Sequence, residues 1–274
     1  MGRIITVSNQ KGGVGKTTTA VNLCASLGAA EKRTLLVDLD PQGNATSGCG
    51  IHDYNVTAYE VMLGSSTLSD AVIPTSVPYM DIVPSDRRLA GAEIELVSQV
   101  SRERFLSHAL AGARERYDYV IIDTPPSLGL ITINALTAAD SVLIPIQCEY
   151  YALEGLSQLL STVQLVQKSL NEDLRIEGVL LTMFDKRLKL SNQVAEEAID
   201  YFGTTVYQTK IPRNVRLSEA PSFGKPILLY DVECLGTKSY LDLAAEMIEQ
   251  HKRPSMVQSA EAGAGTTTNN KEVE

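Results

Sequence analysis

Short apolar runs alternate with longer stretches whose apolar residues recur every three or four positions, and the alternation persists to about residue 250. The short runs read as strands near 3–8, 33–38, 80–84, 118–123, 141–146, 176–183 and 205–211. The longer stretches read as helices at 16–29, 56–63, 87–98, 101–116, 128–138, 152–170, 191–203 and 237–251. Val120-Ile121-Ile122 and Val142-Leu143-Ile144 are apolar without interruption, as strands covered on both faces of a sheet must be. In 152–170, Leu156, Leu159, Leu160, Val163 and Val166 recur at helical spacing, which makes one amphipathic face to pack on that sheet. Strands alternating with helices imply βαβ units, so the expected fold class is α/β, with a mainly parallel twisted sheet flanked by helices. No repeat and no linker divides the chain. Residues 1–253 therefore read as one domain. Residues 254–274 are rich in Ala, Gly, Thr and Asn, lack any apolar periodicity, and read as a disordered tail.

Composition narrows the class. The chain has 274 residues, 44% of them hydrophobic, which is enough for a substantial core. Its formal charge of −9 argues against a generally basic nucleic-acid coat, although a local basic face remains compatible with it. Cys24, Cys49, Cys148 and Cys234 stand apart with no Cys-x-x-Cys spacing, so they read as buried small hydrophobes in a reducing compartment. His52, His108 and His251 have no partners at metal-ligand spacing. No stretch of about 18 apolar residues is present, so no membrane span is expected. Met1-Gly2 with Thr6 fits a myristoylation pattern formally, but those residues are wanted as the first strand.

The first strand runs directly into Lys11-Gly12-Gly13-Val14-Gly15-Lys16-Thr17-Thr18, which in turn opens the first helix. Strand, glycine-rich turn and helix together make a phosphate cradle, because glycines let backbone N–H groups converge on phosphate oxygens. Lys16 is placed to reach the β- and γ-phosphates, and the Thr17 hydroxyl to ligate Mg²⁺. The block departs from the standard pattern in one respect. Gln10 stands where a glycine is usual, and Lys11 adds a second cation that is costly unless an anion offsets it. Two later strands end in carboxylates, Asp38-Leu39-Asp40 and Asp123-Thr124-Pro125-Pro126, on the rim where open α/β sheets bind ligands. Asp123 can hold Mg²⁺ directly or through water. Asp38 and Asp40 alternate along a strand end, so one should face the metal and Thr17 and the other the γ-phosphate.

These segments resemble the deviant Walker A ATPases, and within them the ParA/Soj chromosome- and plasmid-partitioning proteins. Ile211-Pro212-Arg213-Asn214-Val215-Arg216-Leu217-Ser218-Glu219-Ala220-Pro221 and Gly224-Lys225-Pro226-Ile227 extend the resemblance, which covers about residues 2–250. It implies a P-loop NTPase fold and an ATPase that uses ATP and Mg²⁺. It further implies that Lys11 touches the nucleotide of a partner subunit, so that ATP drives homodimerisation. Asp40 would position the attacking water, Asp38 would support the metal shell, and Pro212 and Asn214 would contact adenine. A ParB/Spo0J-like partner, non-specific double-stranded DNA and a cytoplasmic, nucleoid-associated location complete what the family implies.

Lys186, Arg187, Lys189, Lys210, Arg213, Arg216 and Lys225 supply the basic residues that phosphate-backbone binding requires, with Arg213 and Arg216 inside the matching block. A MinD-like division-site ATPase would carry a C-terminal amphipathic helix with bulky apolar and basic residues, and the tail shows neither pattern. An iron–sulfur carrier would need flanking cysteines that this chain lacks. A small-molecule ligase such as dethiobiotin synthetase shares the loop and stays open. With no operator-reading extension before the phosphate loop, the compact chromosomal type is expected.

Overall fold

The computed structural model describes residues 2–149 and 156–252. The expected tail at 254–274 and the start of the helix expected from 152 lie outside the described residues. Seven strands are present among the described residues: β1 Arg3–Val7, β2 Thr34–Asp38, β3 Ile73–Pro74, β4 Met80–Val83, β5 Tyr119–Asp123, β6 Ser141–Gln147 and β7 Arg175–Thr182. The first helices are α1 Lys16–Ala29, α2 Asn44–Gly48, α3 Ala58–Leu63, α4 Leu68–Ala71, α5 Leu89–Leu96, α6 Phe105–Ala109 and α7 Ala113–Arg116. They are followed by α8 Leu130–Ala138, α9 Leu156–Ser169, α10 Lys189–Phe202, α11 Val215–Glu219, α12 Ile227–Tyr230 and α13 Leu235–Lys252. The strands form one sheet in the order β3-β4-β2-β5-β1-β6-β7, parallel throughout except for β3, which runs antiparallel to β4.

Alternate residues of each central strand feed two separate cores. Ile4, Leu35, Val37, Val120, Ile122, Val142 and Ile144 enter the core beneath α3, α5, α6, α8, α9 and α10. Ile5, Val7, Leu36, Ile121 and Leu143 enter the core beneath α1 and α13. Burial on both faces is why these strands carry no polar alternation.

Two expected elements differ from the structure. The strand expected at 205–211 is reduced to isolated bridges, Val206 to Val179 and Pro212 to Phe184. The N–H groups of Tyr207 and Ile211 donate to the Val179 and Leu181 carbonyls at 3.0 and 2.9 Å, which keeps the segment beside β7. Those of Gln208 and Thr209 turn away and donate to the Glu246 carboxylate of α13, so no ladder forms. The single helix expected at 101–116 is split, because α6 ends at Ala109 and α7 begins only after Gly112. The two-residue edge strand β3 is too short to carry a periodicity, so the hydrophobic pattern does not announce it.

The helix α1 lies so close to the chain before β4 that residue 28 has no room for a side chain. A Cβ on Gly28 would come within 2.7 Å of the Pro78 carbonyl oxygen and 3.4 Å of a Val77 methyl. Alanine is the better helix former by up to about 1 kcal/mol, whereas overpacking of this kind costs about 1–3 kcal/mol. Gly28→Ala is therefore expected to lower the melting temperature by roughly 2–6 °C in scanning calorimetry. A rise would show that α1 can shift away from the Pro78 carbonyl.

Candidate nucleotide-binding site

The parallel register sets the site. Val7 of β1 pairs with Asp123 of β5, and Asp123 pairs with Asp38 of β2, so the three strands end at one level. The glycine turn between β1 and α1 rises directly above that rim. Gly13 and Gly15 have φ of 75° and 86°, a backbone conformation that side chains disfavour. Gly15 caps α1 with no side-chain hydrogen bond, so the first-turn N–H groups of this 14-residue helix stay open to an anion. Asn9 braces the turn from below by donating to the Pro145 carbonyl at 2.7 Å and accepting from the Lys11 N–H at 3.0 Å. Thr182 braces it from the side, its hydroxyl donating to the Val14 carbonyl at 2.8 Å. Lys16 Nζ donates to the Lys11 carbonyl at 3.2 Å, which folds the lysine over the cradle.

Beneath the cradle lie three carboxylates. Asp38 is fully buried and its oxygens accept from the Thr46 N–H, the Thr46 hydroxyl and the Asp40 N–H at 2.8, 2.7 and 3.1 Å. Asp40 is also buried, and one of its oxygens accepts from the Gln42 N–H at 2.9 Å. Asp123 differs. It is fully buried and neither oxygen has a hydrogen-bond partner; the Thr17 hydroxyl adjoins it without closing a bond. Desolvation pushes the Asp123 carboxyl well above its ordinary range, and the neighbouring Asp38 and Asp40 charges push it further, against the adjoining Thr17 hydroxyl and Lys16. Burial likewise raises Asp38, opposed by its hydrogen bonds to Thr46. Burial pulls the Lys16 ammonium down, and Asp123 and Asp40 partly restore it.

An unpaired buried carboxylate calls for a cation. Among the described residues, no group of three or more His, Cys, Asp and Glu side chains forms a self-sufficient metal cage. That suits Mg²⁺, which takes one or two carboxylates and completes its shell with water and phosphate oxygens. Thr17 and Asp123 are placed to hold it. The oxygens of Asp38 already accept from Thr46 and Asp40, which tethers the Asp40 loop and would leave Asp38 beside a bound metal as a neighbouring charge.

Beside the cradle, a cavity of about 250 Å³ is lined by Gly15, Thr18, Pro212, Asn214, Leu217 and Tyr240. The Asn214 side-chain oxygen caps α11 through the Arg216 N–H at 2.8 Å, which leaves its amide NH₂ for a ligand. Thr18, Gly12 and Val14 complete the turn, with Val14 buried and Gly12 exposed.

The basic residues are less free than their sequence suggests. Arg187 pairs with Asp185, Arg213 with Glu149, and Arg216 with Glu219 and Asp231. Lys210 lies over the Phe184 ring at 4.4 Å. Lys186 and Lys189 are exposed beside Arg187 at the start of α10, and Lys225 is exposed near α12. Sequence reasoning passes over Asn9, Thr46 and Thr182. Asn9 lies inside the same strand-end block as Lys11, whereas Thr46 and Thr182 carry no motif and are found only through their partners.

A family model described as an AAA domain matches residues 2–176. The chain is 61% identical to the sporulation initiation inhibitor protein Soj of Bacillus subtilis, over 90% of this chain and 98% of that protein. It is 58% identical to the chromosome partitioning protein ParA of Myxococcus xanthus, over 91% of this chain and 89% of that protein. Its fold matches cobyrinic acid a,c-diamide synthase of Mycobacterium smegmatis, crystallised with ADP and magnesium, with a TM-score of 0.81 and 38% identity over 92% of this chain and 96% of that one.

Replacing Asp123 with Asn keeps the shape and removes the unpaired buried charge. Because the folded carboxyl titrates above its ordinary value, its protonated form favours folding at low pH, and that stability is lost as pH rises through the folded value. The ligand-free Asp123→Asn protein is therefore expected to melt above wild type at neutral pH, by a few degrees, with the gain shrinking as pH falls toward about 4. A variant less stable than wild type at pH 7 would show that the carboxylate is already satisfied.

Proposed function

The chain belongs to the ParA/Soj family of partitioning ATPases, and from that membership we propose that it is a segregation ATPase of chromosome or plasmid, switched by its nucleotide between monomer and DNA-bound dimer. It is an ATPase, and the supporting observation is the cradle of Gly12, Gly13, Val14, Gly15, Lys16, Thr17 and Thr18 over a buried, unpartnered Asp123. ATP fits with its phosphates on the open N–H groups of α1 and its adenine in the cavity between Pro212 and Asn214. Mg²⁺, held by Thr17 and Asp123, would neutralise the phosphate oxygens.

The residues of the chain divide the remaining work. Lys16 stabilises charge on the β- and γ-phosphates, and desolvation of its ammonium strengthens that interaction. Asp40, held by the Gln42 N–H, orients the attacking water with its remaining lone pairs. Lys11 has its main chain committed to Asn9 and Lys16, while its side chain has no ion pair among the described residues. That leaves its ammonium for the triphosphate of a second copy, which couples ATP to homodimerisation. A ParB/Spo0J-like partner then stimulates hydrolysis, and the dimer presents two sets of Lys186, Arg187, Lys189, Arg213 and Arg216 to duplex DNA. Among the described residues no helix is long and apolar enough to cross a membrane.

Asp40→Ala is expected to retain Mg²⁺–ATP and to lose about two to four orders of magnitude in turnover. Loss of nucleotide binding would move Asp40 into the binding shell, and unchanged turnover would remove it from the reaction.

The ion pairs give a sharper test of DNA binding. Arg216→Ala should reduce the slope of log affinity against log salt by about 0.9 for each DNA phosphate that the arginine neutralises. Glu219→Gln removes the carboxylate that holds Arg216 at 2.9 Å, and it should strengthen binding of random duplex at low salt. Filter binding of the ATP dimer across a salt series measures both, and no change in either variant would place the DNA surface elsewhere.

A further inference from the structure

The end of the sheet opposite the phosphate cradle, at the amino ends of its central strands, carries a second cavity, of about 540 Å³, which the ATPase reaction does not use. It lies where β1 and β5 begin, between the end of α1, the helix α7 and the last turn of α13. Five cationic side chains line it: Arg3, Lys32, Arg33, Arg114 and Lys252. Two carboxylates of the lining, Glu115 and Asp118, stand against them, and Asp140 and Glu249 pair with Arg114 and Lys252, so among the described residues the cavity is cationic by one charge in a chain whose total is −9. Arg114 is committed to Asp140 and to the Gly2 carbonyl. Arg33 reaches Asp118 only at 3.9 Å, and Lys252 reaches Glu249 only at 4.0 Å. Among the described residues, Arg3 and Lys32 have no ion pair.

On the expected DNA face each arginine is held by a carboxylate and the exposed cations are Lys186 and Lys189 on a loop and helix start, whereas here, among the described residues, Arg3 and Lys32 stand without an ion pair over a concavity. One wall is built rigidly. Tyr119 stacks on His251 with ring centroids 5.7 Å apart, and the His251 ring nitrogens meet the Tyr119 hydroxyl at 3.2 Å and the buried Glu177 carboxylate at 2.7 Å. Glu177 also accepts from Ser141 and Tyr207. The last turn of α13 is thereby pinned to the sheet at the cavity wall.

We propose that this cavity is a second anion site that binds a small, multiply charged phosphate compound, with Arg3, Lys32 and Arg33 as its ligands. Concavity favours a compact ligand over duplex DNA, whose backbone needs an extended or protruding cationic surface. Guanidinium and ammonium donors together suit phosphate oxygens, which accept charge-assisted hydrogen bonds from both. The site is also linked to the cradle. The helix α13 packs along α1, and its Tyr240 hydroxyl lies 3.2 Å from the Thr19 hydroxyl near the start of α1. A ligand at one end of α13 therefore bears on the helix that carries Lys16 and Thr17.

Inorganic tripolyphosphate is the probe, titrated calorimetrically into protein whose cradle is already saturated with Mg²⁺–ADP. One additional site per chain is expected, and the double variant Arg3→Gln, Lys32→Gln should weaken it about tenfold or more while Mg²⁺–ADP affinity and melting temperature stay as in wild type. Absence of any heat beyond dilution, or equal affinity in the double variant, overturns the proposal. Displacement of the probe by a random 20-base-pair duplex, through the same residues, would also overturn it and assign the cavity to nucleic acid.

Discussion

Three charges, on Asp38, Asp123 and Lys16, are buried at the carboxyl ends of β2 and β5 and at the start of α1, and the rest of the site is arranged around their desolvation. A parallel register that ends β1, β2 and β5 at one level cannot keep Asp38 and Asp123 apart, because they are paired residues on adjacent strands. The protein resolves one of them internally. Thr46 and the Asp40 N–H satisfy Asp38, and in doing so they draw α2 and the Asp40 loop down onto the strand ends. Asp123 is left without a closed hydrogen bond. It represents stability forgone in the ligand-free protein, which a bound cation would recover; functional sites commonly differ from cores in this way.

The scaffold around these charges is correspondingly tight. The helix α1 has Gly28 against the Pro78 carbonyl at one end and Asn22 in its middle. Asn22 accepts from the Ile227 N–H at 2.7 Å, which ties the start of α12 to the phosphate-binding helix. Gly50 and Gly224, both with positive φ, bring the chain after α2 into backbone contact with the chain before α12. The chain from Gly224 to Ile227, which follows the segment carrying Pro212, Asn214 and Arg216, is therefore bound both to the phosphate-binding helix and to the chain after α2. A DNA surface of the kind proposed, built on such a frame, would have a short mechanical path to the nucleotide site.

Much of this is legible in the sequence because it depends on local rules. The uninterrupted apolar runs mark strands buried on both faces, and Lys11 to Thr18 mark the cradle, since few other backbones need glycines at such spacing before a helix. The strand-end positions of Asp38, Asp40 and Asp123 follow from where those runs stop. What is not legible depends on partners far apart in the chain. Residues 205–211 have strand-like composition, but the Glu246 carboxylate takes two of their N–H groups. Thr46 and Thr182 look ordinary until Asp38 and the Val14 carbonyl are beside them. The pairing of Arg187, Arg213 and Arg216 with carboxylates is equally invisible to residue counting, and it reduces the positive charge that their number suggests.

The central claim is that Asp123 waits for a metal that arrives with the nucleotide. Calorimetric melting of the wild-type protein with a non-hydrolysable ATP analogue, in EDTA and in Mg²⁺, tests it most directly. The account predicts a large rise in melting temperature only when analogue and Mg²⁺ are present together, since ligand binding to the folded state stabilises it in proportion to the logarithm of ligand concentration over its dissociation constant. It further predicts that Asp123→Asn loses that Mg²⁺-dependent rise. Equal stabilisation by the analogue in EDTA and in Mg²⁺ would contradict the account, because the buried carboxylate would then need no cation.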